Sequence, residues 1–328
     1  MPVSWKEADV TPIFKSGSKI KVNNYRPISL TSIICRTFEK LIKNKLVDHL
    51  EVNNLLHNSQ HGFRQKKSCL TNLLEFFNKV VNFQDLKIPV DILYLDFAKA
   101  FDKVCHSKLI HKLKSYALGK RLIKWIEDWL CDRKQRVVLN GVKSKWCSVT
   151  SGVPQGSVLG PLLFIIYIDD LDVGLTNKIA KFADDTKLMG QSTSDKHYQS
   201  IKEDLKKLEL WADQWDMEFN VNKCKVMFVG KKNSKKAYEM FGKPLLETEK
   251  EKDLGIVINN DMKVSSQCMA AYNKANRILG LISRNFSYKT IEIIRTLYVS
   301  LVRPHLEYCV QFWSPHFVKD RVNRENTA

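Results

Sequence analysis

The chain has 328 residues, and its 44% hydrophobic content excludes an intrinsically disordered protein while allowing two or three packed units. Its 53 Lys and Arg against 35 Asp and Glu give a formal net charge of +18, which favours a phosphate-rich partner such as nucleic acid. Eight cysteines without a Cys-x-x-Cys pair argue against a zinc knuckle and favour reduced thiols in an intracellular protein. The longest apolar run, 162–168, is too short to cross a membrane, so we expect no membrane partner.

Hydrophobic periodicity predicts the secondary structure in chain order. Helices are expected near 38–50 and 70–81, then a buried strand over 89–96, helices near 107–116 and 122–130, a hairpin over 135–149 around Asn140-Gly141, and a short apolar helix over 161–171. There follow a hairpin over 179–189, a helix over 201–215, strands at 226–229 and 254–258 that flank a charge-rich segment expected to be a mobile loop, 231–252, and a helical region from residue 269. The order strand, helix, hairpin, helix, strand predicts an α+β fold with a split βαβ sheet and helices on one face.

Two adjacent carboxylates, Asp184 and Asp185, lie at the tip of the second hairpin. An isolated pair of this kind is most simply a solvated turn, but adjacent aspartates repel each other unless a cation neutralises them. Asp96 ends the first buried strand, which should lie beside the hairpin in a split βαβ sheet. Carboxylates from two separate segments are what two-metal phosphoryl transfer requires. We interpret Asp91 as a strand-start residue and Asp102 as an early-helix charge.

A shaped loop lies between these acidic segments. Residues 151–161 contain three glycines and two prolines and lead into an apolar helix. Glycine lets a ligand approach the backbone closely, and a helix start suits an anion. The loop is therefore a candidate nucleotide contact.

In order along the chain, these segments resemble the reverse transcriptase domain of non-LTR (LINE-type) retrotransposons, most similar to the jockey group. The motifs that carry the resemblance are Pro12-Ile13-Phe14-Lys15, Asn24-Tyr25-Arg26-Pro27-Ile28-Ser29-Leu30, His61-Gly62-Phe63-Arg64, the Asp96 strand, Pro154-Gln155-Gly156, Phe182-Ala183-Asp184-Asp185, Asn222-Lys223, Leu254-Gly255, Arg303-Pro304-His305-Leu306-Glu307-Tyr308 and Trp313-Ser314-Pro315. The resemblance implies a right-hand polymerase with a ferredoxin-like split βαβ palm, mixed fingers and a helical thumb. Fingers are expected over 1–88, the palm over 89–260 and the thumb over 261–328.

The resemblance also implies a catalytic set. Asp96 and Asp184 would hold two Mg²⁺ ions, with Mn²⁺ as an alternative, helped by the backbone carbonyl of Phe97. Asp185 would be a weaker, supporting carboxylate. Lys223 matches the lysine proposed as proton donor to the leaving pyrophosphate, and Lys225 is a near alternative.

Substrate contacts follow from the same motifs. Lys15 and Arg26 would neutralise the triphosphate of the incoming dNTP, which Gln155 and Gly156 would also contact. Phe101 matches the bulky residue that excludes a 2′-hydroxyl. Without the resemblance, Phe101 would be interpreted as an ordinary core residue. Template and primer contacts are expected from the pair Phe63-Arg64, and a packing role for the phenylalanine is an open alternative.

One other segment spells a polymerase motif. Tyr167-Ile168-Asp169-Asp170 reproduces the Tyr-x-Asp-Asp box of retroviral-type enzymes, but it follows the 151–161 loop directly in a run with helical character. There is no room for another strand before it. We therefore expect the metal acid to be Asp184.

The resemblance implies RNA-templated extension of a DNA primer by dNTPs, with the primer supplied by a nicked DNA target. The family's endonuclease domain has no counterpart here and is expected elsewhere in the full element, so this chain could be a truncated copy. A truncated, catalytically inactive remnant that only binds nucleic acid is the main alternative. A group II intron-type enzyme fits the C-terminal motifs poorly, and Phe101 argues against an RNA-dependent RNA polymerase. We expect an intracellular ribonucleoprotein of nucleus or cytoplasm without signal peptide or membrane span.

Overall fold

The N-terminal third combines a pair of strands with two long helices. The computed structural model describes residues 1–315 and 317–325. The elements of this third are α1 Val3–Lys6, β1 Glu7–Phe14, β2 Tyr25–Leu30, α2 Ile33–Val52 and α3 Cys69–Asp85. The side chains of Ser32 and Ser68 cap the first turns of α2 and α3 by accepting backbone N–H bonds. Both long helices match the sequence prediction.

The middle of the chain alternates strands and helices, as the periodicity predicts. Its elements are β3 Val90–Leu95, α4 Ala100–Lys103, α5 His106–Ser115, α6 Lys120–Leu130, β4 Arg133–Leu139, β5 Val142–Lys143, β6 Cys147–Val149, α7 Gly160–Tyr167, β7 Lys178–Phe182, β8 Asp185–Gln191, α8 Asp195–Gln214 and β9 Lys225–Val229. A 3₁₀ turn, Asp169–Asp172, follows α7.

Short strands and then helices complete the chain. They are β10 Glu239–Met240, β11 Lys243–Pro244, β12 Leu246–Glu247, β13 Lys250–Asp253, β14 Ile256–Asn259, α9 Ser265–Asn285, α10 Ile291–Leu297, α11 Arg303–Glu307, α12 Val310–Trp313 and α13 Val318–Glu325. A π-helical stretch, Tyr298–Val302, joins α10 to α11. No helix in the described part of the chain is long and apolar enough to cross a membrane.

The central sheet has the strand order β12-β9-β3-β8-β7. Strand β3 runs antiparallel to both β8 and β9, and its last residue, Leu95, is paired with Thr186 of the hairpin. The predicted adjacency of the first strand and the hairpin is thus confirmed. Both faces of this sheet are covered, contrary to the expected single helical face. Leu93 and Leu95 belong to one core with α5, α7 and α8, whereas Ile92 packs in a second core with α3, β14, α9 and α12.

A second sheet contains residues from two distant parts of the chain. Its order is β2-β1-β4-β5, with β6 also paired to β4. The predicted hairpin turn is confirmed, since Asn140 and Gly141 have φ of 50° and 82°. The hairpin lies beside the N-terminal strands, because β4 runs parallel to β1 and pairs Lys134 with Glu7. This sheet therefore contains strands from both sides of the expected domain boundary at residue 88.

The charge-rich segment 231–252 is an ordered part of the fold, so the prediction of a mobile loop was wrong. It contributes β10 to β12 and most of β13. Tyr238 and Met240 are completely buried. The Tyr238 hydroxyl donates to Asp91 Oδ2 at 2.5 Å, and burial raises the pKa of the Asp91 carboxyl. Buried Tyr238, Met240 and Leu245, together with the hydrogen bond to Asp91, hold a segment whose composition is otherwise typical of a solvated loop.

Candidate active site

The turn between β7 and β8 presents the acidic pair predicted from the sequence. Phe182 and Asp185 form the last pair of the hairpin, which leaves Ala183 and Asp184 as the turn. Ala183 has φ of 53°, a left-handed conformation that L-residues adopt at an energetic cost. The Asp184 side chain is half-buried and that of Asp185 is exposed.

Asp96 comes directly after β3, one residue beyond the pair between Leu95 and Thr186, and so reaches the edge where the hairpin turns. A bridge to the segment after α8 fixes this point: Asn220 N–H donates to the Asp96 carbonyl at 2.7 Å and Ala98 N–H to the Glu218 carbonyl at 2.7 Å. The Phe97 ring stacks on Phe219 with centroids 4.3 Å apart. The Asp96 backbone carbonyl accepts one of these two hydrogen bonds, and the Phe97 carbonyl accepts neither.

The electrostatics of the site show that the three carboxylates are neighbours. Burial raises the pKa of Asp184, and repulsion from Asp96 adds to the shift. Desolvation, followed by repulsion from Asp184, Asp253 and Asp96, raises the pKa of Asp185 to about 6. Repulsion among carboxylates that lie close together at one sheet edge is relieved when a cation binds between them.

The donor set fits divalent metal ions. Carboxylate and carbonyl oxygens are the ligands that Mg²⁺ and Mn²⁺ prefer, and Asp96 and Asp184 come from separate segments, as a two-metal site requires. Within the described residues, no group of three or more His, Cys, Asp or Glu side chains is arranged to hold a metal ion. Asp96, Asp184 and Asp185 are the carboxylates that β3 and the β7–β8 turn place at this edge of the sheet.

Two lysines lie on the other side of Asp96. Lys223 Nζ is 2.9 Å from Asp96 Oδ2, whereas Lys225 Nζ is 2.7 Å from Glu251 Oε2. Both line a cleft of about 320 Å³ that also contains Asp185. Of the two candidates for proton donor, Lys223 is the one in contact with a predicted metal acid.

The predicted triphosphate contacts belong to the N-terminal strands. Lys15 follows β1 and Arg26 lies in β2, and both side chains are exposed. Their positive charges lower the pKa of Asp184 and so oppose the effect of burial. The strands β1 and β2 thus place two cationic residues where their charges act on Asp184, and their contact with a triphosphate stays a prediction.

The loop before α7 packs against β2 and the start of α4. The Gln155 carbonyl accepts from Ser29 N–H at 2.6 Å, and its side-chain amide donates to Asp102 Oδ1 at 3.0 Å. Gly156 has φ of 117°, and a Cβ there would lie 2.5 Å from the Ser29 carbonyl oxygen, so only glycine fits. Phe101 is half-buried and stacks on Phe164 with centroids 4.4 Å apart.

The N-terminus of α7 is occupied by a carboxylate of the protein, which the sequence prediction did not anticipate. Glu39 Oε2 accepts from Val158 N–H at 2.7 Å and Leu159 N–H at 3.1 Å, and Oε1 accepts from Trp129 Nε1 at 3.1 Å. The Glu39 side chain is fully buried. The helix start predicted to suit a substrate anion thus already binds one. An acidic residue on the apolar stripe of α2, between Cys35 and Leu46, is the sequence signal that could have identified it.

The two predicted template contacts differ in their surroundings. Phe63 is 46% exposed. Arg64 forms a two-point ion pair with Glu51, at 3.0 and 2.8 Å, and also donates to the His57 carbonyl at 2.8 Å. Its side chain is only 7% exposed. This geometry favours a structural role for Arg64 and leaves Phe63 as the accessible member of the pair.

The Tyr167–Asp170 box is structural. It spans the end of α7 and the start of the 3₁₀ turn. Asp169 accepts from His57 N–H and from the Tyr116 hydroxyl, each at 2.9 Å. Asp170 accepts from Lys112 and from Trp211 Nε1. Both carboxylates thus bind side chains and backbone of α5, α8 and the segment before α3.

We predict that Asp185→Asn stabilises the metal-free protein at neutral pH. The folded-state pKa of Asp185, about 6, lies above the ordinary value of an aspartate. The protonated Asp185 carboxyl therefore contributes to the free energy of unfolding below about pH 4, and this contribution is lost as the pH rises through 6. The side chain is exposed, so screening limits the gain to about 1 kcal/mol, a Tm rise of about 2–4 °C. Thermal melts in EDTA at pH 7.5 and pH 4.5 test this. A variant that melts below the native chain at pH 7.5 contradicts it.

Comparisons with known proteins identify the family of this chain. The family model described as reverse transcriptase (RNA-dependent DNA polymerase) matches residues 13–280. The RNA-directed DNA polymerase from mobile element jockey of Drosophila melanogaster is 28% identical over 346 residues, covering 99% of this chain and 37% of that protein. The probable RNA-directed DNA polymerase from transposon BS of Drosophila melanogaster is 29% identical over 332 residues, covering 95% of this chain and 36% of that protein. The chain thus spans little more than a third of these curated relatives.

A solved structure supports the fold. The structure of apo telomerase from Candida tropicalis superposes with a TM-score of 0.57 at 12% identity, covering 99% of this chain and 60% of that chain. Similarity at this identity concerns the fold alone. The predicted right-hand polymerase fold and the predicted resemblance to non-LTR retrotransposon enzymes are both confirmed. Because the family model matches well over half of this chain, the chain belongs to the reverse transcriptase (RNA-dependent DNA polymerase) family.

Proposed function

We propose that this chain is an RNA-directed DNA polymerase of a non-LTR retrotransposon, which extends a DNA primer on an RNA template. The observation that carries the proposal is the position of Asp96 and Asp184 at one sheet edge. There the negative charge of Asp96 raises the pKa of Asp184, and a bound cation would relieve the repulsion. The 3′-hydroxyl oxygen of the primer would attack the α-phosphorus of a dNTP. The bond between the α- and β-phosphates would break, and pyrophosphate would leave.

Asp96, Asp184 and the Phe97 carbonyl would hold two Mg²⁺ ions. When bound, such ions neutralise charge on the phosphates and lower the pKa of the attacking hydroxyl. Lys15 and Arg26 would bind the triphosphate, the first as a point charge and the second as a planar fork. These residues position and neutralise the reactants, which is the main protein contribution in phosphoryl transfer.

The remaining roles follow the same arrangement. Lys223 would donate a proton to the leaving pyrophosphate, and its contact with Asp96 keeps it at the site. Gln155 and Gly156 would contact the nucleotide, and Phe63, as the exposed residue, would contact template or primer, with Arg64 supporting its loop.

The domain assignment is part of the proposal. Fingers would comprise 1–88, the palm 89–260 and the thumb 261–328, and β4 of the palm range would pair with β1 of the fingers. The last residues of that thumb range, 326–328, and residue 316 lie outside the described residues. The endonuclease would reside in the part of the element that this chain does not span, and the protein would act inside the cell as a ribonucleoprotein.

Primer extension tests the function directly. Purified protein with Mg²⁺ on poly(rA)·oligo(dT) should incorporate dTTP, and the activity should be lost in EDTA. RNA binding by well-folded protein without any extension would contradict the proposal and would favour a remnant that only binds nucleic acid.

We predict that Phe101→Ala lowers the preference for dNTP over the matching rNTP. Removing the ring from its stack on Phe164 would open space for a 2′-hydroxyl, and a steric filter of this kind is worth about 100-fold in kcat/KM. The measurement is the ratio of kcat/KM for dTTP and UTP. Phe101→Tyr keeps the bulk and is the matched control. Equal selectivity in the alanine variant and the native chain would show that Phe101 is a core residue only.

A further inference from the structure

The turn that carries Asp184 is held from outside its own hairpin. Residues 59–62 lie alongside β7 as a short parallel extension, with a bridge between Gln60 and Lys181. Lys181 N–H donates to the Ser59 carbonyl at 2.8 Å, and His61 N–H donates to the Lys181 carbonyl at 2.9 Å. These backbone bonds bring the side chain of Gln60 to the end of the strand, where the turn begins.

The Gln60 carboxamide binds both polar groups of the Ala183 backbone. Its Oε1 accepts from Ala183 N–H at 3.0 Å and from Gly62 N–H at 2.7 Å, and its Nε2 donates to the Ala183 carbonyl at 3.4 Å. The side chain is fully buried, so water does not compete for these bonds. Ala183 is the residue in the left-handed conformation, and it directly precedes Asp184. The amide therefore holds the turn at its strained residue.

Residues 59–62 pack tightly against the turn. A Cβ at Gly62 would lie 2.4 Å from Ala183 N and 3.1 Å from the Phe182 carbonyl carbon. The next anchor is His61, whose Nδ1 lies 2.9 Å from Thr71 Oγ1 in α3. Burial lowers the pKa of His61 to about 4, so the ring is a neutral structural group near neutral pH. The segment is thus fixed both to α3 and to the turn.

We propose that Gln60 is a positioning residue for nucleotidyl transfer, acting through the backbone of Ala183 to place the Asp184 carboxylate opposite Asp96. This inference rests on the proposed polymerase function. The Gln60 side chain is fully buried, and its carboxamide binds the backbone of Gly62 and Ala183. Its contribution is to restrict a turn that would otherwise relax, and a misplacement of about 1 Å at a reacting centre costs about 100-fold in rate.

Gln60→Met tests the inference, since methionine is similar in size and removes the amide. Gln267→Met is the matched control, because it makes the same change at a buried glutamine, whose Oε1 accepts from Val257 N–H at 2.9 Å in β14, outside the hairpin and its turn. The measurements are kcat and KM for dTTP on poly(rA)·oligo(dT), and hydrogen exchange of a peptide that covers 178–191. The second readout requires neither metal nor turnover.

We expect Gln60→Met to lower kcat by about 100-fold with KM and template affinity unchanged, and to speed exchange at the turn. Gln267→Met should keep kcat within about threefold of the native value, because this side chain does not line the cleft that contains Asp96 and Asp185. Equal kcat losses in the two variants, or full activity and native exchange in Gln60→Met, would overturn the inference.

Two further outcomes keep the inference separate from the proposed function. If the native chain does not extend primers, the function fails, and exchange at the turn still decides whether Gln60 holds it. If Gln60→Met does not fold, Gln60→Glu replaces it, since its carboxylate retains an acceptor for both N–H groups. Exchange at the turn should then stay slow, and fast exchange in folded Gln60→Glu would overturn the inference.

Discussion

Asp184→Asn should abolish primer extension, with kcat at least about 1,000-fold below that of the native chain. The substitution removes the carboxylate that is half-buried at the hairpin turn beside Asp96, while the side chain keeps its size. Since burial and repulsion raise the pKa of Asp184, the neutral amide should not destabilise the metal-free protein. The variant should therefore be folded, bind RNA and be inactive. Single-turnover extension and a thermal melt on one preparation measure both properties.

The control for this experiment lies in the second acidic box. Asp169→Asn weakens the hydrogen bonds that Asp169 accepts from His57 and Tyr116, so it should lower the melting temperature. Its kcat should remain within about threefold of the native value, because those partners are structural. The opposite pattern, with an active Asp184→Asn and an inactive Asp169→Asn, would place the chemistry at Tyr167–Asp170.

Glu39→Leu should reduce the free energy of unfolding by about 3–5 kcal/mol and raise KM for dNTPs. The substitution leaves two N–H groups at the start of α7 and the indole N–H of Trp129 without their acceptor in a fully buried location. Gln155 and Gly156 lie just before those two amides, so the loop proposed to contact the nucleotide loses its anchor. Denaturant unfolding and dTTP titrations measure the two effects.

Glu39→Gln is the graded control. Its carbonyl oxygen can still accept from Val158 and Leu159, but the negative charge is lost, so we expect a loss of about 1–2 kcal/mol and a nearly native KM. If the leucine and glutamine variants were equally stable, the hydrogen bonds to α7 would not be what Glu39 contributes. If both retained native KM despite a large loss of stability, the loop would be positioned by other contacts, such as the Ser29–Gln155 bond.

Local signals in the sequence account for the elements that were predicted correctly. The helices α2 and α3 show clear 3.6-residue periodicity and serine caps, and Asn140-Gly141 specifies its turn through two positive φ angles. The adjacency of Asp96 and the Asp184 turn followed from element order, because a split βαβ sheet places the first strand beside the hairpin. By contrast, the order of segment 231–252 depends on the burial of Tyr238, which periodicity in a charge-rich stretch does not reveal.

The sequence by itself determined the family and the fold class and led to the acidic residues proposed for the site, because apolar periodicity and ordered motifs are local properties of the chain. Only the tertiary structure decided what holds that site. Glu39 reaches α7 across 119 positions and Gln60 reaches Ala183 across 123, while Arg64 pairs with Glu51 across 13. Hydrogen bonds between buried polar groups are directional and depend on distances set by the packing of distant elements. That geometry has no local signature, so the supporting residues become visible only when the chain is folded.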